Sequence, residues 1–521
     1  MQVYATFWAL LPPIIAIVLA LITKEVYSSL FIGIVVGALF YSGFSFEGTL
    51  NHIFFEEVDD ASYGMISVLS DSSNVGILIF LVILGALVAL MNNAGGSAAF
   101  GRWATAHIKT RVGAQLATIA LGVLIFVDDY FNCLTVGSVM RPVTDTHNIS
   151  RAKLAYLIDA TAAPVCIIAP ISSWAAAVAG FASKSDANGI ALFISAIPYN
   201  FYALLTILMM ITLAVTKTDF GPMALHERNA LKGDLFTTEN RPYADADAHE
   251  DTSKGKVIDL VLPVVVLVIA CIIGLIYTGG FFSGESFVSA FANCSASMGL
   301  VLGSSVALVF AIIFFIARRV LSFKQCMACI PEGFKAMVPA ILILTFAWTL
   351  KSMTDSLGAA EYVAGVVKAS AGSFMNFLPA IVFIIACLLS FATGTSWGTF
   401  GILIPIVLEV FGASGTALST ISMSACMAGA VCGDHCSPIS DTTIMSSAGA
   451  QCDHVNHVST QLPYAISVAG ISFITYLICG VLLTIGMANP VWVALPLGIV
   501  LTIVYIMLMK RATSKKYASQ A

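Results

Sequence analysis

The chain has 521 residues, of which 59% are hydrophobic and only 10% charged, with a mean hydropathy of +0.94. Soluble domains carry about 25% charged residues, so this composition excludes a soluble globular protein and specifies a polytopic helical membrane protein. The net charge of −5 comes with no basic face or motif, which argues against nucleic-acid binding. The twelve cysteines fall mostly in apolar runs, as at Cys271, Cys387 and Cys479, and do not read as a disulfide framework.

Taken in order, the chain opens with an apolar run at 6–22 that lacks a basic region before it and a small-residue cleavage pattern after it, so it reads as a retained span. Further runs of span length follow at 28–44, 75–91, 152–180, 190–216, 257–277, 299–317, 335–351, 416–449, 459–486 and 491–509. Two segments, 112–142 and 378–410, are too long for one span and have polar interruptions. The first is broken by Asp128-Asp129-Tyr130-Phe131-Asn132 and the second by Thr393-Gly394-Thr395-Ser396. Each reads as one broken span or as a re-entrant helical hairpin.

Basic residues favour the hairpin. Arg102, Lys109 and Arg111 precede the first segment, and Arg141, Arg151 and Lys153 flank the loop 142–151 after it. A segment that enters and returns puts both clusters on the cytoplasmic side, as the positive-inside rule prefers. The same rule places 217–256, Arg318, Arg319, Lys324 and the tail from Lys510 inside. Loops 45–74 and 278–298 contain no Lys or Arg and fall outside. Lys184, Lys351 and Lys368 are exceptions. The N-terminus is then external and the C-terminus cytoplasmic.

The stretch 217–256 is polar, has no helical stripe, and reads as a cytoplasmic linker between two halves. The halves share landmarks: Leu11-Pro12 with Leu262-Pro263, Phe126, its break and Pro142 with Phe391, its break and Pro405, and Pro170-Ile171-Ser172-Ser173 with Pro438-Ile439-Ser440-Asp441. Five spans in the first half invert the second. The expected architecture is therefore all-α with two inverted-topology repeats, each of five spans and one re-entrant hairpin, plus an extra C-terminal span. The repeats cover 1–216 (hairpin 112–142, broken helix 152–180) and 257–486 (hairpin 378–410, broken helix 416–449), with 487–521 beyond them. Paired interrupted segments in such repeats mark a substrate site near the midplane.

The densest chemistry lies in Gly433-Asp434-His435-Cys436-Ser437-Pro438-Ile439-Ser440-Asp441-Thr442-Thr443, flanked by uncharged sequence. Ionisable residues at membrane depth cost several kcal/mol, roughly 2.5–3.5 each on insertion scales, and mark function by default. Asp128, Asp129, Asn132, Asp159, Asp434 and Asp441 are the ion- or proton-binding candidates. Thr135, Ser172, Ser173, Thr393, Thr395, Ser396, Ser437, Ser440 and Thr442 offer supporting oxygens, although such hydroxyls often bond only to their own helices. His435 is a candidate proton carrier or a satisfied core histidine. Trp174 and Trp397 are candidate walls of a substrate pocket. Cys432, His435 and Cys436 lack a well-spaced second pair of zinc ligands, so Na⁺ is the expected metal. No phosphate-binding Gly-x-x-x-x-Gly-Lys-Ser/Thr loop and no Gly-x-Ser-x-Gly elbow occurs, so neither ATP-driven transport nor an enzyme is expected.

The Gly433–Thr443 run, together with Phe126-Val127-Asp128-Asp129-Tyr130-Phe131-Asn132, resembles the NhaC family of Na⁺/H⁺ antiporters, within the wider ion transporter superfamily. The resemblance extends over residues 1 to about 485. It implies a secondary transporter of the bacterial inner membrane, a homodimer without a cofactor, working by an elevator-like shift of a domain built from hairpins and broken helices. A carboxylate withdrawn from water favours its neutralised form, so Na⁺ (or Li⁺) and H⁺ compete for it, and exchange of the two is the expected function. The alternative is a Na⁺-coupled carrier or exchanger of a small organic carboxylate or amino acid; the absence of Arg from the candidate site weighs toward bare cations.

Overall fold

The computed structural model describes residues 3–23, 25–58, 61–126, 129–169, 174, 178, 189–243, 255–359, 361–362, 365–366, 375–411 and 416–518. Helices dominate, with one short antiparallel pair, Glu56–Val58 against Ala61–Tyr63. Among the described residues six helices are long and apolar enough to cross a membrane, and eight if each bent pair counts as one span. The protein is a multi-pass membrane protein. The remaining apolar segments are shorter helices, such as Val26–Tyr41, or interrupted ones.

The helices form two packed groups. In one, Ile258–Thr278 lies along Ala296–Ala317, and Ser72–Asn93 packs against both Ala296–Ala317 and Phe323–Ser356, with Val26–Tyr41 on the far side of the last. In the other, two helix pairs, Arg111–Leu124 with Asp129–Thr146 and Leu378–Thr393 with Ser396–Phe411, pack on two interrupted helices. The interrupted helices are Arg151–Thr161 followed by Ala163–Cys166, and Ala417–Cys436 followed by Asp441–Ala450. They interlock, since Asp441–Ala450 lies against Asp129–Thr146 and Arg151–Thr161 from the other half of the chain.

Local chemistry sets the breaks. Ser437 precedes Pro438 and is extended (φ −84°, ψ 128°), because the proline ring disfavours a helical residue before it. Ser440 then caps the next helix, its side chain accepting from the Thr443 N–H, the usual work of a serine at that place. In the other half the break falls at Ala162 (φ −80°, ψ −98°), with Pro164 in the first turn beyond it. The helix from Asp129 differs from expectation. It runs through Pro142 to Thr146, so the proline lies inside it rather than at its end.

Two stretches expected to be plain loops are ordered. Gly96–His107 is a helix on which Phe100, Trp103 and His107 stack in succession, with centroids 5.4 and 4.6 Å apart. The polar stretch after residue 216 contains a helix, Pro222–Ala230, and straps across one face of the molecule. Glu227 pairs with Arg111 and accepts from the Ser150 N–H at 2.8 Å. Asp219 accepts from Lys153 Nζ and from Tyr464 OH, each at 2.7 Å. Asn240 donates to Asp453 and Asn456 to Thr238, both at 2.6 Å. The strap holds because its acids pair with half-exposed Arg111 and buried Lys153 of the second group. Burial, with Asp219 nearby, pushes the Glu227 carboxyl above its ordinary value, against the pull of Arg111 and Lys153.

Candidate functional site

A cavity of about 730 Å³ opens where the two groups meet. Its floor is formed by Thr393, Gly394, Thr395 and Trp397 from the second helix pair, Ile439 and Asp441 from the second break, and Tyr130 from the first pair. One wall is the face Ala347, Trp348, Lys351, Ser352 and Asp355 of Phe323–Ser356. The mouth carries Ser62, Tyr63, Ser67, Val68 and Asp71 on one side and Cys294, Ser295 and Ser297 on the other. These mouth segments are the two loops that lack Lys and Arg.

Asp441 is the acid of the second broken helix that faces this space. Its Oδ1 accepts from the Trp348 indole N–H at 2.9 Å and its Oδ2 from the Tyr130 hydroxyl at 3.2 Å. It also sits in the first turn of its helix, where the helix dipole favours an anion. Asp434, 4% exposed, is absent from the cavity lining. Its Oδ2 accepts from the Ser396 hydroxyl at 2.8 Å and from the Ser396 N–H at 3.3 Å. Ser396 is the first residue of its helix, so Asp434, from another helix, accepts from one of its first N–H groups. The two acids of the motif therefore have different surroundings, one open and one sealed.

The turn of the second helix pair is tight. Gly394 has φ +65°, and a Cβ there would lie 2.6 Å from the Ile439 carbonyl oxygen. The tip of the second pair thus presses directly on the break, and both steric demands select glycine.

The remaining candidates divide similarly. Asn132 donates to the carbonyls of Gly122 (2.6 Å), Ile125 (2.9 Å) and Thr161 (3.2 Å), clamping the end of one helix to the first break. Its Oδ1 and the Thr135 Oγ1 are buried without a partner among the described residues. Asp129 is buried in the first turn of its helix. Thr393 back-bonds to Leu389 O at 2.9 Å although it lines the cavity. Ser437 donates to Phe391 O at 2.8 Å, and Ser440 pairs with Thr442 at 3.0 Å. His435 Nδ1 pairs with Tyr202 OH at 2.7 Å, and Asp159 faces His457 and Gln461. Trp397 lines the cavity, whereas Trp174 is fully buried behind it, at 5.3 Å from Trp397 and 5.6 Å from Phe400. As a pocket wall Trp174 is corrected to a backing residue, because it is fully buried and absent from the cavity lining, with Trp397 tilted against it and Phe400 edge-on. Asp128, Ser172 and Ser173 lie outside the described residues.

Carbonyls freed by the breaks are largely claimed by protein donors. Thr161 O is taken by Asn132, Pro438 O by His454 at 2.6 Å, and Phe391 O by Ser437. Sequence reasoning missed the cavity face of Phe323–Ser356. Trp348, Lys351, Ser352 and Asp355 recur at i, i+3, i+4 and i+7, one helical stripe, and this spacing was the available signal. Lys351 donates to Asp355 at 2.6 Å and brings a basic residue to a site expected to hold no Arg.

The Na⁺/H⁺ antiporter family model matches residues 154–481 of this chain. The chain is similar to an uncharacterized protein of Haemophilus influenzae, 38% identical over 488 residues that cover 91% of each. It is also similar to the malate-2H(+)/Na(+)-lactate antiporter of Bacillus subtilis, 29% identical over 164 residues, 30% of this chain and 33% of the relative. A shorter match is the arginine/ornithine antiporter ArcD of Halobacterium salinarum, 35% identical over 117 residues, 22% of this chain and 24% of the relative. A membrane-embedded break with its acids and hydroxyls, within the matched span, agrees with these similarities, and the chain belongs to the Na⁺/H⁺ antiporter family.

Proposed function

We propose that the protein is a secondary antiporter that exchanges Na⁺ for H⁺ across the bacterial inner membrane, with Asp441 as the carboxylate for which the two ions compete. The observation that carries this reading is the placement of Asp441 at the cavity floor, its oxygens oriented by Trp348 and Tyr130. Asp71 and Asp355 also line the cavity, so among its described lining residues the acids outnumber the one lysine, Lys351, and an excess of negative charge in a cleft concentrates cations. Either ion neutralises Asp441, whereas the empty anion meets the full desolvation cost if the site closes. Only loaded forms then move, which is the condition for obligatory exchange.

In this reading the two helix pairs are re-entrant hairpins, the halves are inverted repeats, and the second packed group shifts as an elevator against the first, within a homodimer. The order of hairpin, break and matching Pro-Ile-Ser runs in both halves supports it, as does the packing of hairpins and broken helices as one group. The cavity then opens to the outside, with the strap on the cytoplasmic face. Purified protein in proteoliposomes, given a pH gradient, is expected to let Na⁺ or Li⁺ alone dissipate it, and Asp441→Asn is expected to abolish the response. No response of the wild type without an organic solute overturns the reading.

One observation favours a second reading, the Na⁺-coupled exchange of a small carboxylate or amino acid. The cavity holds roughly two dozen waters at about 30 Å³ each, within the usual range for organic ligands, and it carries Lys351, Trp348 and Trp397 beside its acids. The names of two relatives, one for malate and lactate and one for arginine and ornithine, agree with it. In the same vesicles, dissipation that requires an added carboxylate or amino acid selects this reading.

A further inference from the structure

A second group of ionisable side chains lies away from the cavity, at the crossing of Arg151–Thr161 with His454–Thr484. Asp159 and His457 are both 0% exposed. His457 Nε2 is 3.2 Å from Asp159 Oδ2, and the Gln461 amide donates to the same oxygen at 2.7 Å. That amide also donates to the His435 carbonyl at 2.6 Å, in the last turn before the break of the second interrupted helix. Asp159 Oδ1 and His457 Nδ1 are buried with no hydrogen-bond partner among the described residues. None of these groups lines the cavity.

This arrangement is costly as a merely structural one. A buried carboxylate with one vacant oxygen and no Lys or Arg beside it is stable only when a positive charge or a proton accompanies it. Among the described residues its ion-pair partner is His457, which supplies that charge only when protonated. One proton on the pair leaves it neutral overall, as imidazolium with carboxylate or as imidazole with carboxylic acid, and its loss leaves a bare anion. The groups facing the pair are His435, Asp434 and Cys436 from the second broken helix, with His454 on the helix of His457 itself. Tyr202 reaches the pair's surroundings through His435. These neighbours supply no permanent cation.

We propose that Asp159 and His457 form an occluded proton-binding site, separate from the cavity, and that Gln461 links its charge to the second break. The pair exchanges its proton with the medium during the transport cycle, in addition to the proton that competes with Na⁺ at Asp441. Gln461 bridges Asp159 to the His435 carbonyl, so a change of charge at the pair acts on the helix end that carries Asp434, and through it on the capped hairpin. The proposal extends the exchange reading by adding a second proton seat beside the competition at Asp441, and its spectroscopic test does not depend on which cargo is carried.

The test uses the full-length protein in lipid. Infrared difference spectra recorded on a pH step are expected to contain a carboxyl band that Asp159→Asn removes and His457→Gln shifts. In proteoliposomes, both variants are expected to reduce pH-driven exchange about tenfold, a usual size for coupling between sites, and to flatten its pH profile. Cargo self-exchange at equal pH should change little, and Asp159→Glu should restore part of the coupling. The proposal is overturned if the Asp159→Asn difference spectrum matches the wild type. It is also overturned if pH-driven exchange and self-exchange fall together while the variants remain folded by size-exclusion chromatography. A wild type that shows the band yet moves no Na⁺ supports the proton site and rejects Na⁺ as cargo.

Discussion

At the residue scale, the two acids of one motif behave as different chemical objects. Asp441 has its oxygens held by an indole and a phenol and still faces the cavity. Trp348→Phe keeps the ring and removes the donor. A hydrogen bond to a charged group contributes about 1.5–3 kcal/mol, so the half-saturating cation concentration, measured by vesicle titration, should change at least about tenfold. The thermal midpoint should barely move. Asp434 gives the opposite pattern. Ser396→Ala deprives a buried carboxylate oxygen of its shortest bond, and an unsatisfied buried group costs about 1–3 kcal/mol. A lower unfolding temperature by intrinsic fluorescence is expected, with little change in cation affinity among the folded molecules. Equal effects of the two substitutions on affinity would erase the division of roles between these acids.

At the scale of elements, the interrupted helices are held by backbone approaches as close as any side-chain contact. The helix Ala417–Cys436 lies so near Leu378–Thr393 that a Cβ on Gly433 would sit 2.2 Å from Cys387 O and 2.7 Å from Phe391 N. Small residues permit such contacts between membrane helices. Gly433→Val must separate the two helices, and overpacking of this kind costs about 1–3 kcal/mol. Because Asp434 follows directly, its bond to Ser396 should lengthen as well. The variant is expected to unfold at lower temperature and to transport more slowly; a stable variant with wild-type rates would show that the helices slide apart freely.

At the scale of the molecule, the strap ties both halves on one face. Arg111 and Ser150 from the first half meet Glu227, while Asp219 joins Lys153 to Tyr464 of the second. Glu227 is the buried member of its pair while Arg111 is 29% exposed, so removing Glu227 leaves a cation that water reaches and loses charged hydrogen bonds of about 1.5–3 kcal/mol each. Glu227→Ala is expected to free the strap locally, seen as faster limited proteolysis between residues 217 and 243. A cleavage rate equal to that of the wild type would mean that Asp219 and Asn240 hold it alone. The halves are thus bound through charge at one face and through interlocked broken helices within.

The sequence by itself determined the membrane class, the break at Pro438 with its acid and hydroxyl cluster, and the turn at Gly394. These follow from properties that act within a few residues: apolar runs of span length, a proline without an N–H, a glycine at positive φ, a serine before a free helix end. In the first half the helix breaks at Ala162, and the run from Pro170 lies outside the described residues. The tertiary structure decided which acid is open and which is sealed, that Trp174 stands behind Trp397, and that the stripe of Lys351 faces the site. It also joined Asp159 to His457, 298 positions away, and Tyr130 to Asp441, 311 positions away. No local pattern specifies such partners. Whether a buried carboxylate meets a donor, a cation or a void depends on which helices cross there, and only the packed molecule settles that.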